Sequence, residues 1–200
     1  MELKDFDALL NKTMKMYYTL AEERGFDTAF MADSCFVGPF TQFELWRGHS
    51  VSDWDPNYYF KATKPDNNGI LTDRLFNAAN FLIFSEKLRD LLESNCISGI
   101  QYLPVKVFRY DKSLVSGYSV VNTLQALPAL DVNRSELSMC RFPRGTKEIS
   151  WIKKAVFKPE IIEGVDIFRL QEFPVSLYVS ERFKTVFEKN KCTGFDFREP

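Results

Sequence analysis

Two stretches of this chain, residues 81–104 and 176–199, follow the same sequence pattern at a constant separation of 95 residues. The identical polar and glycine positions in that register are Ser85 and Ser180, Glu86 and Glu181, Glu93 and Glu188, Asn95 and Asn190, and Gly99 and Gly194. The apolar positions match as well, because each stretch opens with a short apolar run and continues with an apolar stripe. A chain that carries such a pattern twice is expected to fold the same local unit twice.

The order of residues within each stretch predicts a strand, a helix and a second strand. Ser85 and Ser180 are typical N-cap residues, since a serine hydroxyl accepts a hydrogen bond from a free N–H of the first turn. The glutamate after each serine suits the positive end of the helix dipole. Apolar residues three and four apart then form one helix face, and Asn and Gly end the helix. We therefore predict an α+β fold, a mixed β-sheet scaffold with two related strand–helix–strand units and helices near 85–95 and 180–190.

The rest of the chain is predicted to form strands and loops within one compact domain. Periodicity and turn residues predict a helix over 2–12, strands over 14–20, 42–47, 58–63, 115–125, 149–157 and 165–170, a loop over 25–41, turns over 48–57 and 65–69, and a polar break over 131–138.

Composition and terminal sequence restrict the classes of function. The four cysteines, Cys35, Cys96, Cys140 and Cys192, are far apart and form no CxxC pair, so buried free thiols are expected. With a single histidine and no paired ligands, we expect no metal and no other cofactor. The N-terminal sequence lacks the apolar region of a signal peptide, and no run approaches the ~20 apolar residues of a membrane span. These features predict a cytoplasmic protein without membrane contact.

Few residues could support catalysis. His49 is the single histidine, and a catalytic pair would have to join it to Asp53 or Asp55. An exposed loop histidine and a solvated turn account for these residues more simply, and helix capping accounts for the two Ser–Glu pairs. A small enzyme of unrecognised class is therefore kept as an alternative to a binding role.

Charge is unevenly distributed along the chain, although its net value is only −1. Residues 141–160 contain six bases and two acids, and this stretch also carries Phe142 and Trp151. A nucleic-acid-binding module that uses residues 141–158 is thus a second alternative. No nucleic-acid partner is expected in the favoured interpretation, because the chain as a whole is not basic.

The first third of the chain is acidic, with ten acids and five bases in residues 1–60. An acidic surface speeds association with a basic protein and adds specificity. A tryptophan exposed between two acids, as predicted for Trp54, also resembles a binding hot spot. The candidate partner-binding residues are the aromatic and acidic residues Trp46, Asp53, Trp54, Asp55, Tyr58 and Tyr59.

Several motifs in the second part of the chain occur in an order and spacing that resemble a known family. They are Ile83–Leu88 with Gly99 and Leu103–Val105, then Tyr118–Asn122 with Leu130, Asp131 and Ser135, and finally Asp166–Leu170, Val179–Phe183 and Thr193–Phe197. Together they resemble the immunity protein eleven family of bacterial polymorphic toxin systems. The resemblance covers about residues 70–200, which divides the chain into a variable N-terminal region, 1–69, and an immunity-family scaffold, 70–200.

This resemblance implies a cytoplasmic antidote that binds and neutralises a cognate toxin by protein–protein inhibition. The implied partner is the toxin domain of a secreted or contact-delivered bacterial effector, and no catalytic residue is implied. The motif residues are then scaffold, and specificity is expected on the variable N-terminal surface that carries the candidate residues. The oligomeric state is left open.

Overall fold

The computed structural model describes residues 16–22, 34–62, 71–141 and 147–200. Within these ranges the fold is α+β, with most elements in several sheets and four short helices, which confirms the predicted class. The predicted helix over 2–12 and turn over 65–69 lie outside the described residues. Every helix in the described ranges is too short or too polar to cross a bilayer.

The first sheet buries both of its faces. Its spatial order is β10 (Ala126–Leu127), β13 (Ile167–Leu170), β14 (Leu177–Ser180), β1 (Tyr17–Glu22) and β15 (Phe195–Arg198). Only the β10–β13 pair is parallel. Because side chains alternate along a strand, Ile167 and Val179 enter one core while Phe168 and Tyr178 enter another. This explains why the two central strands are apolar at nearly every position.

Two four-stranded sheets and a two-stranded ribbon complete the β structure. The second sheet is antiparallel, in the order β4 (Arg74–Leu75), β5 (Ile83–Ser85), β9 (Tyr118–Thr123) and β6 (Ile100–Pro104). The third has the order β2 (Ser34–Val37), β3 (Tyr59–Ala62), β7 (Lys106–Phe108) and β8 (Leu114–Val115), with β3 and β7 parallel. The ribbon pairs β11 (Glu136–Arg141) with β12 (Lys147–Lys154).

The helices are α1 (Gln42–Leu45), α2 (Glu86–Ser94), α3 (Pro159–Ile162) and α4 (Glu181–Lys189). The longer two, α2 and α4, contact each other. Their apolar faces meet side chains of the first and second sheets in one core, which contains Leu88 and Leu92 from α2 and Phe183 and Phe187 from α4. Burial of these faces, more than intrinsic propensity, stabilises helices of this length.

The predicted caps are present at both longer helices. The Ser85 hydroxyl accepts a hydrogen bond from the Leu88 N–H at 3.1 Å, and the Ser180 hydroxyl accepts one from the Phe183 N–H at 3.2 Å. Each hydroxyl also donates to a carboxylate, Asp73 for Ser85 and Asp166 for Ser180, both at 2.8 Å. The capping serines therefore fix the helix starts and tie them to neighbouring segments.

The start of each longer helix is bonded to the end of the other. Lys87 donates from Nζ to the Lys191 carbonyl at 3.5 Å, and Arg182 donates from Nη2 to the Cys96 carbonyl at 2.7 Å. Cys96 and Lys191 both have positive φ, 54° and 50°, as expected for the residue that turns the chain after a helix. These contacts position α2 and α4 relative to each other.

Three predictions of secondary structure are wrong. The region 42–47 is the helix α1 and not a strand, because Glu44 accepts hydrogen bonds from the N–H and hydroxyl of Thr41 and so stabilises a helical first turn. The predicted loop over 25–41 contains β2, whose backbone pairs with β3. The predicted break over 131–138 already contains the start of β11 at Glu136, where the chain pairs with Lys154.

Candidate binding site

The six predicted partner-binding residues lie on α1, the following loop and the start of β3. Trp46 is the C-cap residue of α1, and its ring packs edge-on against Phe43 with centroids 5.1 Å apart. Phe43 is 59% exposed and was not predicted as a binding residue. Trp46 itself is half-buried. An exposed ring such as Phe43, packed on a half-buried tryptophan, is typical of an interaction surface.

Trp54 is half-buried rather than exposed, so the prediction of an exposed tryptophan between two acids is wrong. Its indole stacks on Phe36 and packs against Phe40 and Tyr58. Its Nε1 donates to the Pro104 carbonyl at 2.7 Å. The physical reason for its burial is that this ring fills the side of the core between the second and third sheets.

The two acids beside Trp54 are both exposed. Asp55 accepts hydrogen bonds from the N–H and the side-chain amide of Asn57 at 2.8 and 2.9 Å, which closes the predicted turn. Asp53 is free of such a bond in the described part of the chain. Tyr59, by contrast, is half-buried, and its ring packs edge-on against Phe108 of β7 with centroids 5.6 Å apart.

A third acid, Glu44, lies on α1 next to Phe43. Hydrogen bonds from the Thr41 backbone and hydroxyl hold the pKa of its carboxyl below the usual range, so it is charged near neutral pH. We call Phe43, Glu44, Trp46, Asp53 and Asp55 the acidic aromatic surface. Phe40, which precedes α1, packs against Trp54, which lies between the two aspartates. This contact joins the α1 part of the acidic aromatic surface to the 53–55 turn.

Trp46 also lines a cleft with a volume of about 580 Å³. Arg169 of β13 forms part of the wall, and its guanidinium lies 5.3 Å from the centre of the Trp46 ring. Trp151 of the ribbon also lines the cleft and is 63% exposed. Cation–π contact with Trp46 stabilises the buried charge in part.

Arg169 is only 7% exposed. Its Nη1 donates to the carbonyls of Pro174 and Val175 at 2.8 and 3.0 Å, whereas its Nε has no hydrogen-bond partner within the described ranges. Burial lowers the pKa of Arg169 to about 9, which leaves it cationic at neutral pH.

A family model described as Immunity protein family (Imm11) matches residues 3–200. The chain belongs to this family. The match confirms the resemblance carried by the motifs and indicates a role in toxin immunity. It also covers most of the first 70 residues, where the motif resemblance is only loose. No curated protein matches the chain.

The residues considered for catalysis do not come together in this immunity-family chain. His49 is exposed, and its backbone carbonyl accepts a hydrogen bond from Asn122 at 2.7 Å. Across the described ranges no hydrogen bond or ion pair joins its imidazole to Asp53 or Asp55. The same ranges contain no group of three His, Cys, Asp or Glu residues placed to hold a metal ion.

The cysteines differ in their surroundings. Cys192 is buried, and burial raises the pKa of its thiol to about 11, so it is an unreactive core residue as predicted. Cys96 is exposed, which contradicts the expectation of a buried thiol, because it occupies the turn that ends α2. Cys140 is half-buried, and the side chain of Cys35 lies outside the described part.

The basic stretch predicted from sequence forms much of β12. Lys147, Lys153 and Lys154 are exposed there, beside Trp151. Lys153 forms an ion pair of 3.0 Å with Glu136 on the paired strand. The stretch is thus one solvated side of a ribbon, and part of it borders the cleft.

Proposed function

We propose that this chain binds a cognate bacterial toxin in the cytoplasm and neutralises it by protein–protein inhibition, as the immunity component of a polymorphic toxin system. The observation that carries the proposal is the match of the immunity family over residues 3–200. The proposed role is binding without catalysis. The proposed partner is the toxin domain of a secreted or contact-delivered effector.

The acidic aromatic surface is the proposed docking site. Of the six residues predicted from sequence, Trp46, Asp53 and Asp55 contribute directly to it, with Phe43 and Glu44 in addition. Trp54 supports it through ring contacts with Phe40, which precedes α1, and with Tyr58. Tyr59 packs against Phe108 on β7 and so belongs to the neighbouring sheet. The exposed ring of Phe43 and the half-buried ring of Trp46, with carboxylates beside them, favour a partner that offers apolar contacts and basic side chains.

Purified chain and the toxin domain encoded beside its gene provide the test. We expect a one-to-one complex with Kd on the order of 1 nM, as measured by isothermal titration calorimetry. Nanomolar affinity is typical of a specific interface of standard size. An absence of heat change at two temperatures, together with separate elution of the two proteins in size-exclusion chromatography, would reject the proposed pairing.

Charge reversal at Asp53 tests the docking site itself. We expect Asp53→Lys to lower the association rate constant for the toxin domain about five-fold at low salt, because exposed charges act mainly on the rate of encounter. The effect should shrink at about 0.5 M salt, where screening is strong.

Glu163→Lys is the matched control for that measurement. Glu163 is an exposed acid at the end of α3, and it lies outside the acidic aromatic surface. Its reversal makes the same change in net charge. Equal association rates for the two variants would show that only net charge matters and would contradict the assigned site.

We further propose that residues 81–104 and 176–199 are two copies of one unit. Matching caps, matching helix ends and reciprocal contacts between α2 and α4 support this relation. In this proposal the variable region, 1–69, and the scaffold, 70–200, form one compact domain, and the two units are the frame on which the variable region is displayed.

A further inference from the structure

The cleft beside Trp46 differs in charge from the acidic aromatic surface. Its lining residues include Arg74, Lys153, Arg169 and Arg198, with Glu199 as the acid among the described lining residues. Arg198 is exposed at the end of the edge strand β15, and Lys153 is exposed on the ribbon. The cleft therefore has a cationic rim and a cationic wall.

The charge of Arg169 is buried in this cleft and only partly compensated. No ion pair links it to a carboxylate in the described part of the chain, although a buried ion without a counterion is costly. Two backbone carbonyls and the face of Trp46 provide partial compensation. An anion inside the cleft would supply Arg169 with a countercharge, since no described carboxylate forms an ion pair with it.

The size and walls of the cleft indicate how much of a ligand could enter. Its volume of about 580 Å³ is within the range of pockets that enclose a small ligand or a few side chains. Trp46 and Trp151 both line it, so two aromatic rings are available for packing. A carboxylate attached to an apolar or extended backbone segment fits such a combination.

We propose that this cleft receives an acidic segment of the cognate toxin and places its carboxylate opposite Arg169 and Arg198. This inference rests on the proposed function and adds the chemistry of the partner. The toxin is the favoured source of the anion because Trp46 belongs both to the cleft and to the acidic aromatic surface, so one partner can cover both. The proposed toxin face is therefore of mixed charge, basic opposite α1 and acidic at the cleft.

The test compares the affinities of variants for the toxin domain encoded beside this chain's gene. Arg198→Glu reverses an exposed charge on the rim. Lys154→Glu is the matched control, since Lys154 is also an exposed strand residue and does not line the cleft. Arg169→Lys leaves an amine at this position and removes the planar guanidinium fork. Circular dichroism and thermal unfolding check that each variant is folded.

We expect Arg198→Glu to weaken binding by about ten-fold or more, and Lys154→Glu to change Kd by less than about two-fold. Arg169→Lys should also weaken binding by about ten-fold. If Arg169→Lys does not fold, the contrast between Arg198→Glu and Lys154→Glu still decides the matter. Equal affinities for those two variants would overturn the proposal.

A second experiment tests whether the cleft binds free small anions. Succinate and phosphate are added to the chain alone, at constant ionic strength, and the change in Tm is measured. A rise in Tm that Arg198→Glu abolishes, together with unchanged toxin affinity, would mean that the cleft binds a free anion and would overturn the proposed occupant. If the wild-type chain does not bind the toxin, the proposed function itself fails. If the wild-type chain binds the toxin but Arg198→Glu and Lys154→Glu bind it equally well, only the proposal for the cleft fails.

Discussion

Replacing Phe168 with alanine is expected to lower the free energy of unfolding by about 4 kcal/mol. Phe168 is fully buried in β13. Its ring stacks on Tyr178 and meets Tyr17 and Phe157 edge-on, with centroid distances of 5.5, 5.5 and 5.4 Å. The substitution removes a large apolar surface together with these ring contacts, and the surrounding sheet cannot close the cavity completely. Urea denaturation monitored by circular dichroism measures the change.

Phe43→Ala is the control for Phe168→Ala. Phe43 is 59% exposed, so the same substitution there should change the free energy of unfolding by less than about 0.5 kcal/mol. A loss below about 1 kcal/mol for Phe168→Ala would contradict the packing described for the first sheet.

Asp166→Ala is expected to have the second-largest effect, a loss of about 3 kcal/mol. Asp166 is 2% exposed and accepts hydrogen bonds from the Ser180 hydroxyl at 2.8 Å and from Arg182, in part through Nε at 3.2 Å. Its removal leaves the buried hydroxyl with one fewer partner and frees the guanidinium that joins α4 to the end of α2. We place the loss at the lower end of the range for buried pairs, because half of the Arg182 side chain is exposed.

Asp90→Ala provides the comparison for Asp166→Ala. Asp90 also pairs with an arginine, Arg89, at 2.9 Å, but its side chain is 60% exposed. Solvent-exposed ion pairs contribute little, so we expect a change of at most about 0.5 kcal/mol. Comparable losses for the two substitutions would show that the Asp166 contacts do not stabilise the fold as inferred.

The helices α2 and α4 could be predicted from sequence because their signals are local. A capping serine, an acid in the first turn and an apolar stripe all lie within ten residues of one another, and no distant contact is needed to interpret them. Strands such as β13 could be predicted for a related reason. Their nearly continuous apolar run is what burial on both faces requires.

The structure of residues 34–47 could not be predicted in the same way. The sequence around Phe43 and Leu45 alternates polar and apolar residues, but over six positions a short helix and a strand give similar patterns. The hydrogen bonds between Thr41 and Glu44 decide in favour of the helix. The strand β2 depends on its partner β3, more than twenty residues away, and such pairing has no local signature.

The candidate site was predicted only in part. The positions of Asp53 and Asp55 in an exposed turn followed from turn residues, but the burial of Trp54 depends on Phe36 and Pro104, which are distant in sequence. Arg169 was missed because it lies inside a motif interpreted as scaffold. A charged residue within the apolar run Ile167–Leu170 was the available signal, since such a residue requires a compensating partner.

Survival of cells that produce the neighbouring toxin domain shows directly whether this chain neutralises that toxin. Growth is compared with and without co-production of this chain, at equal toxin levels checked by immunoblot. Neutralisation predicts that cells producing both proteins grow as cells without toxin do, and that the Phe168→Ala variant protects less as its folded fraction falls. Equal killing by the toxin in the presence and absence of the folded wild-type chain would contradict the proposed neutralisation.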